Sequence, residues 1–326
     1  MTRLTLRQFS RHAACYHASV AACSGIDPFC CRTDWIIPFY RSFTPGAPLL
    51  LWQHDTSFVL FAATTAPDGT PLITPLEAMW GFACPLIGPV APQMFEEELL
   101  RGREPMLVSR HILVCGLPED GRLLGRLATT LRLRYMPWHG VPTKRCIALL
   151  GDGVDGFLQR RSSSFRRNLR QALRRTIAAG ISFERIDIIL RPQIPAVYRR
   201  ILAIEARSWK GVSGTGVDRP PMRTFYRLIL ERIAPAGRLR LIIASHDGKD
   251  VGYIYGGVIN GYYRGLQFSF DQRYAHLSLG NVLQYQMISW LCEERAVWYD
   301  LGAAMPYKET WADREMRTHN LVLVRR

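Results

Sequence analysis

Residues 278 to 313 hold the groups best suited to chemistry. A Ser278-Leu279-Gly280 turn opens an amphipathic segment, a short strand-like run follows, and then comes Tyr307-Lys308-Glu309-Thr310-Trp311-Ala312-Asp313. Backbone N–H groups at the start of a helix cradle phosphate or a developing oxyanion, and a lysine at a nearby strand end adds a full positive charge. The combination suggests acyl transfer, with a carbonyl near Ser278 to Gly280 and Lys308 stabilising the charge that develops on it.

Lys308 draws notice because this chain rarely uses lysine. Of 42 Lys and Arg residues only Lys144, Lys210, Lys249 and Lys308 are lysine, leaving 38 arginines. Lys210 closes the run Glu205-Ala206-Arg207-Ser208-Trp209-Lys210-Gly211, and Lys308 precedes Trp311. A compact ammonium does not replace a guanidinium fork at a crowded site. The plainer account is a surface lysine whose stem lies on an indole. For a general base the candidates are Glu205, one helical turn before Trp209, Asp271, at a strand end before the turn, and the imidazole of His276. Each has a structural account as well. Asp300 precedes Leu301-Gly302 at a strand end, where it would orient backbone or Lys308.

Around these residues the second half reads as strand 181–188, helix 195–209, a Gly-rich loop 211–216, helix 219–233 and strand 239–245. Asp247-Gly248 and Asn260-Gly261 are hairpin turns joining strands 251–259 and 262–270. Helix 279–294 and strands 297–301 and 318–324 complete it. The result is an α/β fold with a mixed sheet and helices on both sides. The first half alternates helices (7–23, 34–43, 93–101, 121–131) with strands (49–52, 58–65, near 71, 106–115, 132–137). Gly151-Asp152-Gly153 marks the join, giving domains 1–150 and 151–326.

Just after the join lies a basic helix, 162–179, with Ser162 to Ser164 as its cap. Phe165, Leu169, Leu173 and Ile177 recur every four residues on one face. Arg166, Arg170 and Arg174 make a second stripe, either a solvated face or a lining for phosphates or a membrane surface.

The net charge of +15 and pI near 9.8 predict attraction to polyanions such as tRNA, coenzyme A or an anionic membrane. The eight cysteines form no CxxC pair and read as reduced thiols. Helical spacing could gather His12, Cys15, His17 and Cys23 around zinc, although packing explains them equally; no metal is expected. No secretory signal and no membrane span are expected. The expected location is the cytoplasm, with peripheral contact at the inner membrane face left open.

The motifs Phe165-Arg166-Arg167-Asn168-Leu169-Arg170, Glu205 to Gly211, Ser278-Leu279-Gly280, Tyr299-Asp300-Leu301-Gly302 and Tyr307 to Asp313 stand in an order that resembles the GCN5-related N-acetyltransferase (GNAT) superfamily. The resemblance is to its CelD/BcsL-like branch, acetyltransferase 6, related to the FemAB/FemX peptidyltransferases. It implies tandem GNAT-like modules facing each other across a cleft, the first degenerate. It also implies an acyl-CoA donor, acetyl-CoA or longer, and an amine or hydroxyl acceptor belonging to the cell envelope, a polysaccharide or a lipid-linked precursor. Arg273, Ser278, Leu279, Gly280 and Asn281 would bind the cofactor. Trp209, Lys210, Arg166, Arg170 and Trp311 would bind substrate, and Lys308, Glu205, Asp271 and Tyr307 would be catalytic. Ordinary acetyltransferases carry a Gln/Arg-x-x-Gly-x-Gly/Ala loop here, whereas Arg273 to Asn281 keeps only Gly280. That departure admits an aminoacyl-tRNA donor, as in Fem ligases, where a Phe-Lys pair stands in the place of Tyr307-Lys308. A third reading is a non-catalytic module that binds anionic surfaces. Trp80, Phe82, Trp138, Tyr262 and Tyr263 could line an acceptor pocket or serve the core.

Overall fold

The computed structural model describes residues 1–102, 104, 106 and 110–326. They divide into two compact units, Met1–Lys144 with Met316–Arg326, and Arg145–Glu315. In chain order the elements begin with β1 (Thr2–Arg3), α1 (Leu6–Arg11), α2 (Ala13–Ala22), α3 (Thr33–Phe43), β2 (Leu49–His54), β3 (Ser57–Thr65), β4 (Pro71–Pro75) and β5 (Leu86–Ile87). Next come α4 (Ala91–Arg101), β6 (His111–Leu117), α5 (Arg122–Leu131), β7 (Tyr135–His139), β8 (Thr143–Leu149), α6 (Gly153–Gln159), α7 (Ser163–Ala178) and β9 (Ser182–Ile186). The chain ends with α8 (Ile194–Glu205), α9 (Trp209–Val212), α10 (Met222–Ile233), β10 (Leu239–His246), β11 (Lys249–Ile259), β12 (Tyr262–Phe270), α11 (Leu279–Glu293), β13 (Trp298–Ala303), α12 (Pro306–Glu309) and β14 (Arg314–Arg325). Mixed sheets with helices between strands match the α/β expectation.

In the first unit β1, β2, β3 and β4 pair antiparallel in sequence, and β4 runs parallel to β6. The Pro- and Gly-rich segment after β4 is held by one carboxylate: buried Glu77 accepts from the N–H groups of Trp80, Phe82 and Ala83 at 2.7, 2.9 and 3.2 Å. Burial raises its pKa against those three bonds. Trp80 packs on Trp35 with ring centroids 5.3 Å apart, and Phe82 is buried, so both serve this unit's core. The strand expected from Met106 begins at His111, and 107–109 lie outside the described residues.

In the second unit the sheet runs β9–β10–β11–β12–β13–β8. Asp247-Gly248 and Asn260-Gly261 have φ of 48°/71° and 48°/75°, the left-handed pairs of the expected hairpin turns. β12 and β13 are the parallel neighbours, and their ladder covers three positions only: Tyr262↔Trp298, Tyr263↔Tyr299 and Arg264↔Asp300. β8, which flanks β13, was not anticipated, nor was α12.

Helix α7 is capped as expected, the Ser162 hydroxyl accepting from Phe165 N–H at 3.1 Å. Its buried face differs: Leu169, Ala172 and Thr176 are buried while Ile177 is 72% exposed. Residues four apart drift about 40° per step around a 3.6-residue helix, so Ile177 has rotated about 120° from Phe165 and leaves the core. The helix expected to reach Trp209 ends at Glu205, and Ser208 caps the separate turn α9 by accepting from Gly211 N–H at 3.2 Å.

Candidate active site

Where the β12–β13 ladder ends, the second unit opens a cavity of about 610 Å³. Cross-strand partners share a face of a sheet. By that rule Tyr253↔Ser269 and Tyr255↔Gln267 lie on one face, and Ile254↔Phe268 on the other. The cavity is lined from both faces: Phe268 and Phe270 with the start of α11 on one side, Tyr255, Gln267 and Ser269 with Trp209 and Lys210 on the other. Gly280 is needed for the first, because a Cβ there would come within 2.9 Å of the Phe270 ring.

Lys308 and Tyr307 line the same cavity. Lys308 Nζ donates to the Ala303 carbonyl at 3.0 Å. Burial and then the Arg264 guanidinium lower its pKa from 10.5 to about 8, against the pull of Asp300. Tyr307 is half-exposed, and burial of its ring pushes the phenol up to about 12, so it stays protonated near neutrality. Asp300 is fully buried and accepts from Gly302 N–H at 2.7 Å, from the Tyr262 hydroxyl and from Arg145, and it pairs with Arg264 at 2.8 Å. Burial alone would raise its pKa; Arg264 and Arg145 reverse that and hold it below the usual carboxylate range. The buried cluster fixes the β13 turn from which α12 projects Lys308.

The Glu205 to Gly211 motif reads as a folded unit. Glu205 is fully buried and accepts from the Tyr253 hydroxyl at 2.8 Å and from Val217 N–H at 3.2 Å, with Lys210 Nζ 3.7 Å away. Lys210 Nζ also donates to the Gln267 side chain at 3.1 Å and the Phe268 carbonyl at 2.9 Å. Burial lowers its pKa, which Glu205 partly offsets. A Cβ on Gly211 would collide with the Glu205 carbonyl oxygen. Gly211→Ala is therefore expected to destabilise the protein by about 1–3 kcal/mol, the range for overpacking, and to displace Lys210; urea unfolding checks it, and an unchanged midpoint would show that α9 yields freely.

The other expected residues fall in different places. Asp271 is buried outside the cavity lining, bound to Arg273 at 2.7 Å and Arg207 at 2.9 Å. The Arg273 hydrogen bond, opposed by burial, holds it at about 2; a carboxylate so engaged takes up no proton near neutrality. Arg273 is turned to Asp271 and solvent, and His276 is exposed. Ser278, Gly280 and Asn281 line the cavity, whereas Leu279 is buried in the core behind them. Trp209 is exposed at the cavity edge. Trp311 lines the cavity but is buried, edge-on to Phe165 at 4.9 Å. Arg166 donates to the Leu158, Gln159 and Arg161 carbonyls and so closes the end of α6, while Arg170 is exposed. Tyr262, Tyr263, Trp80, Phe82 and Trp138 do not line this cavity. His17 meets Thr33 at 2.8 Å, and among the described residues no group of three or more His, Cys, Asp or Glu could hold a metal.

Sequence reasoning missed Arg145 and Arg264, for nothing among the 38 arginines of the sequence marks the two that are buried against Asp300. It also missed Tyr255 and Ser269, two buried cavity-lining residues whose hydroxyls have no hydrogen-bond partner. Strand alternation from Gln267 would have placed Ser269 on the same face.

Residues 163–309 match the family model described as an acetyltransferase (GNAT) domain. The whole chain has a tandem GNAT-like fold. It superposes on a tandem GNAT protein from the clavulanic acid biosynthesis pathway with a TM-score of 0.52 at 14% identity, over 98% of this chain and 97% of that one. FemX superposes with a TM-score of 0.66 at 11% identity, over 98% and 97%. The C-terminal domain of a putative lysylphosphatidylglycerol synthetase from Agrobacterium fabrum superposes at 0.59 and 10% identity, over 96% and 91%. No curated protein matches the sequence. No described helix is long and apolar enough to cross a membrane.

Proposed function

We propose that the second unit transfers an acyl group from acyl-CoA, acetyl-CoA or longer, to an amine or hydroxyl of an envelope, polysaccharide or lipid-linked acceptor. The observation that carries the reading is the cavity lined from both sheet faces, with the α11 start at one side and Lys308 in its wall. The donor's phosphates would lie at the first turn of α11 and its thioester beside Phe268. The acceptor nitrogen or oxygen would enter from the Tyr255 side and attack the carbonyl carbon. Lys308 stabilises the oxyanion; as the C–S bond breaks, the departing thiolate takes a proton through Tyr307, which solvent reprotonates at once, and the acceptor's proton is released to solvent, so that the thiol leaves and the enzyme is unchanged. Glu205 positions Lys210 rather than meeting the substrate.

Residues 1–150 would be the degenerate module and 151–326 the acyltransferase module, working in the cytoplasm. A Fem-like transfer from aminoacyl-tRNA is the second reading, supported by the likeness to FemX and by the exposed Arg167, Arg170, Arg174 and Arg175 of α7. Thermal unfolding with acetyl-CoA, a long-chain acyl-CoA and aminoacyl-tRNA, added separately, tests both. A ligand at about 100 times its Kd adds roughly 2.7 kcal/mol. A shift with an acyl-CoA, retained in Lys308→Ala, supports the first reading; a shift with tRNA alone supports the second. No shift with any donor, alongside binding to anionic vesicles, leaves a non-catalytic surface module.

A further inference from the structure

A second cavity of about 450 Å³ lies against the first, sharing Asn281 and Trp311 as walls. We propose that it is a phosphate subsite for the nucleotide portion of the donor, which rests on the reading above in taking a nucleotide-bearing donor. Its other walls include Arg161, Ser164, Asn168 and Thr310.

The Arg161 side chain is 6% exposed. Its Nη1 donates to the Ala312 carbonyl at 2.6 Å and its Nη2 to Asp313 at 2.5 Å, yet its buried Nε has no hydrogen-bond partner. A guanidinium buried with an unused N–H is unfavourable until an acceptor arrives. At the same place the 16-residue helix α7 begins. The Ser162 hydroxyl serves Phe165 N–H, but the N–H groups of Ser163 and Ser164 have no partner within the helix, and the helix dipole favours an anion there. Arg160 also donates to Asp313 at 2.9 Å and to Asp152 at 2.8 Å, so the local carboxylates are already engaged. N–H donors on Arg161 and at the first turn of α7, beside carboxylates already engaged, suit phosphoryl oxygens, which accept and do not donate.

With the pyrophosphate at α11, this cavity suits the next phosphate along: the 3′-phosphate of CoA, or a backbone phosphate near the acceptor end of tRNA. Calorimetric titration with CoA and 3′-dephospho-CoA decides. Wild-type protein is expected to bind CoA at least about 10-fold more tightly. Ser164→Asp should abolish that difference while leaving the affinity for 3′-dephospho-CoA and the Tm unchanged, because a carboxylate in the first helical turn suits the dipole. Asn168→Asp, one turn further on, provides a second variant and the same expectation. A preference for CoA that survives both variants, or no preference in the wild type, overturns the subsite. If CoA does not bind but aminoacyl-tRNA does, the acyl-CoA donor is wrong while the subsite stands or falls on tRNA: a 10-fold loss in Ser164→Asp supports it, and unchanged affinity overturns it. Binding of neither donor overturns both.

Discussion

Replacing Lys308 by alanine is expected to lower kcat by about 100-fold or more while the protein folds and binds its donor normally. The reason is the cavity wall on which the ammonium sits: a preorganised charge aimed at a developing oxyanion contributes about 3–4 kcal/mol to barrier lowering. The pH profile carries the sign. With its pKa lowered to about 8, Lys308 is charged below that value and neutral above it. Turnover that uses the ammonium should therefore fall as pH rises through about 8. A rise across the same interval would make Lys308 a base, and a merely mild loss in Lys308→Ala would remove it from the chemistry.

The same group affects stability in the opposite sense. Below about pH 8 the lysine is charged in both states, so folding bears the full penalty of holding it away from water. Between about 8 and 10.5 the folded state releases the proton and the unfolded chain keeps it, and the penalty fades as pH rises. At about 1.4 kcal/mol per pH unit the gap is on the order of 3 kcal/mol. Lys308→Met is accordingly expected to be inactive and more stable at pH 7, by about 1–2 kcal/mol once the lost bond to Ala303 is subtracted. Chemical denaturation at pH 7 reads this directly, and a destabilised Lys308→Met would mean that the lysine is structural.

The largest stability effect is expected at Asp300. Asp300→Asn leaves the buried guanidinium groups of Arg145 and Arg264 without their carboxylate, and removing one partner of a buried pair costs about 3–5 kcal/mol. At the usual 2–4 °C per kcal/mol, Tm should fall by about 6–20 °C. Adding Arg264→Met to Asp300→Asn should restore part of it, since one of the two guanidinium groups that faced the Asp300 carboxylate is then removed. Loss of stability that the second substitution deepens would show that Arg264 serves another partner. Because Asp300 also holds Gly302 N–H, the surviving protein should turn over poorly through a misplaced Lys308.

Much of this was legible in the chain. The hairpins at Asp247-Gly248 and Asn260-Gly261, the Ser162 cap and the apolar run of α11 are local signals, and local energetics decided them. The scarcity of lysine singled out Lys210 and Lys308, and both line the cavity. The order of motifs carried the GNAT resemblance. Tertiary structure decided the rest. Glu205, Asp271 and Trp311 have residue types that suit catalysis or binding, but only packing shows that Glu205 holds Lys210, that Asp271 binds two arginines and that Trp311 closes a core against Phe165. Arg145 and Asp300 are 155 positions apart in sequence. Whether an arginine is a solvated surface charge or half of a buried pair depends on which carboxylate the fold brings to it, since burial sets the desolvation penalty and proximity the compensation.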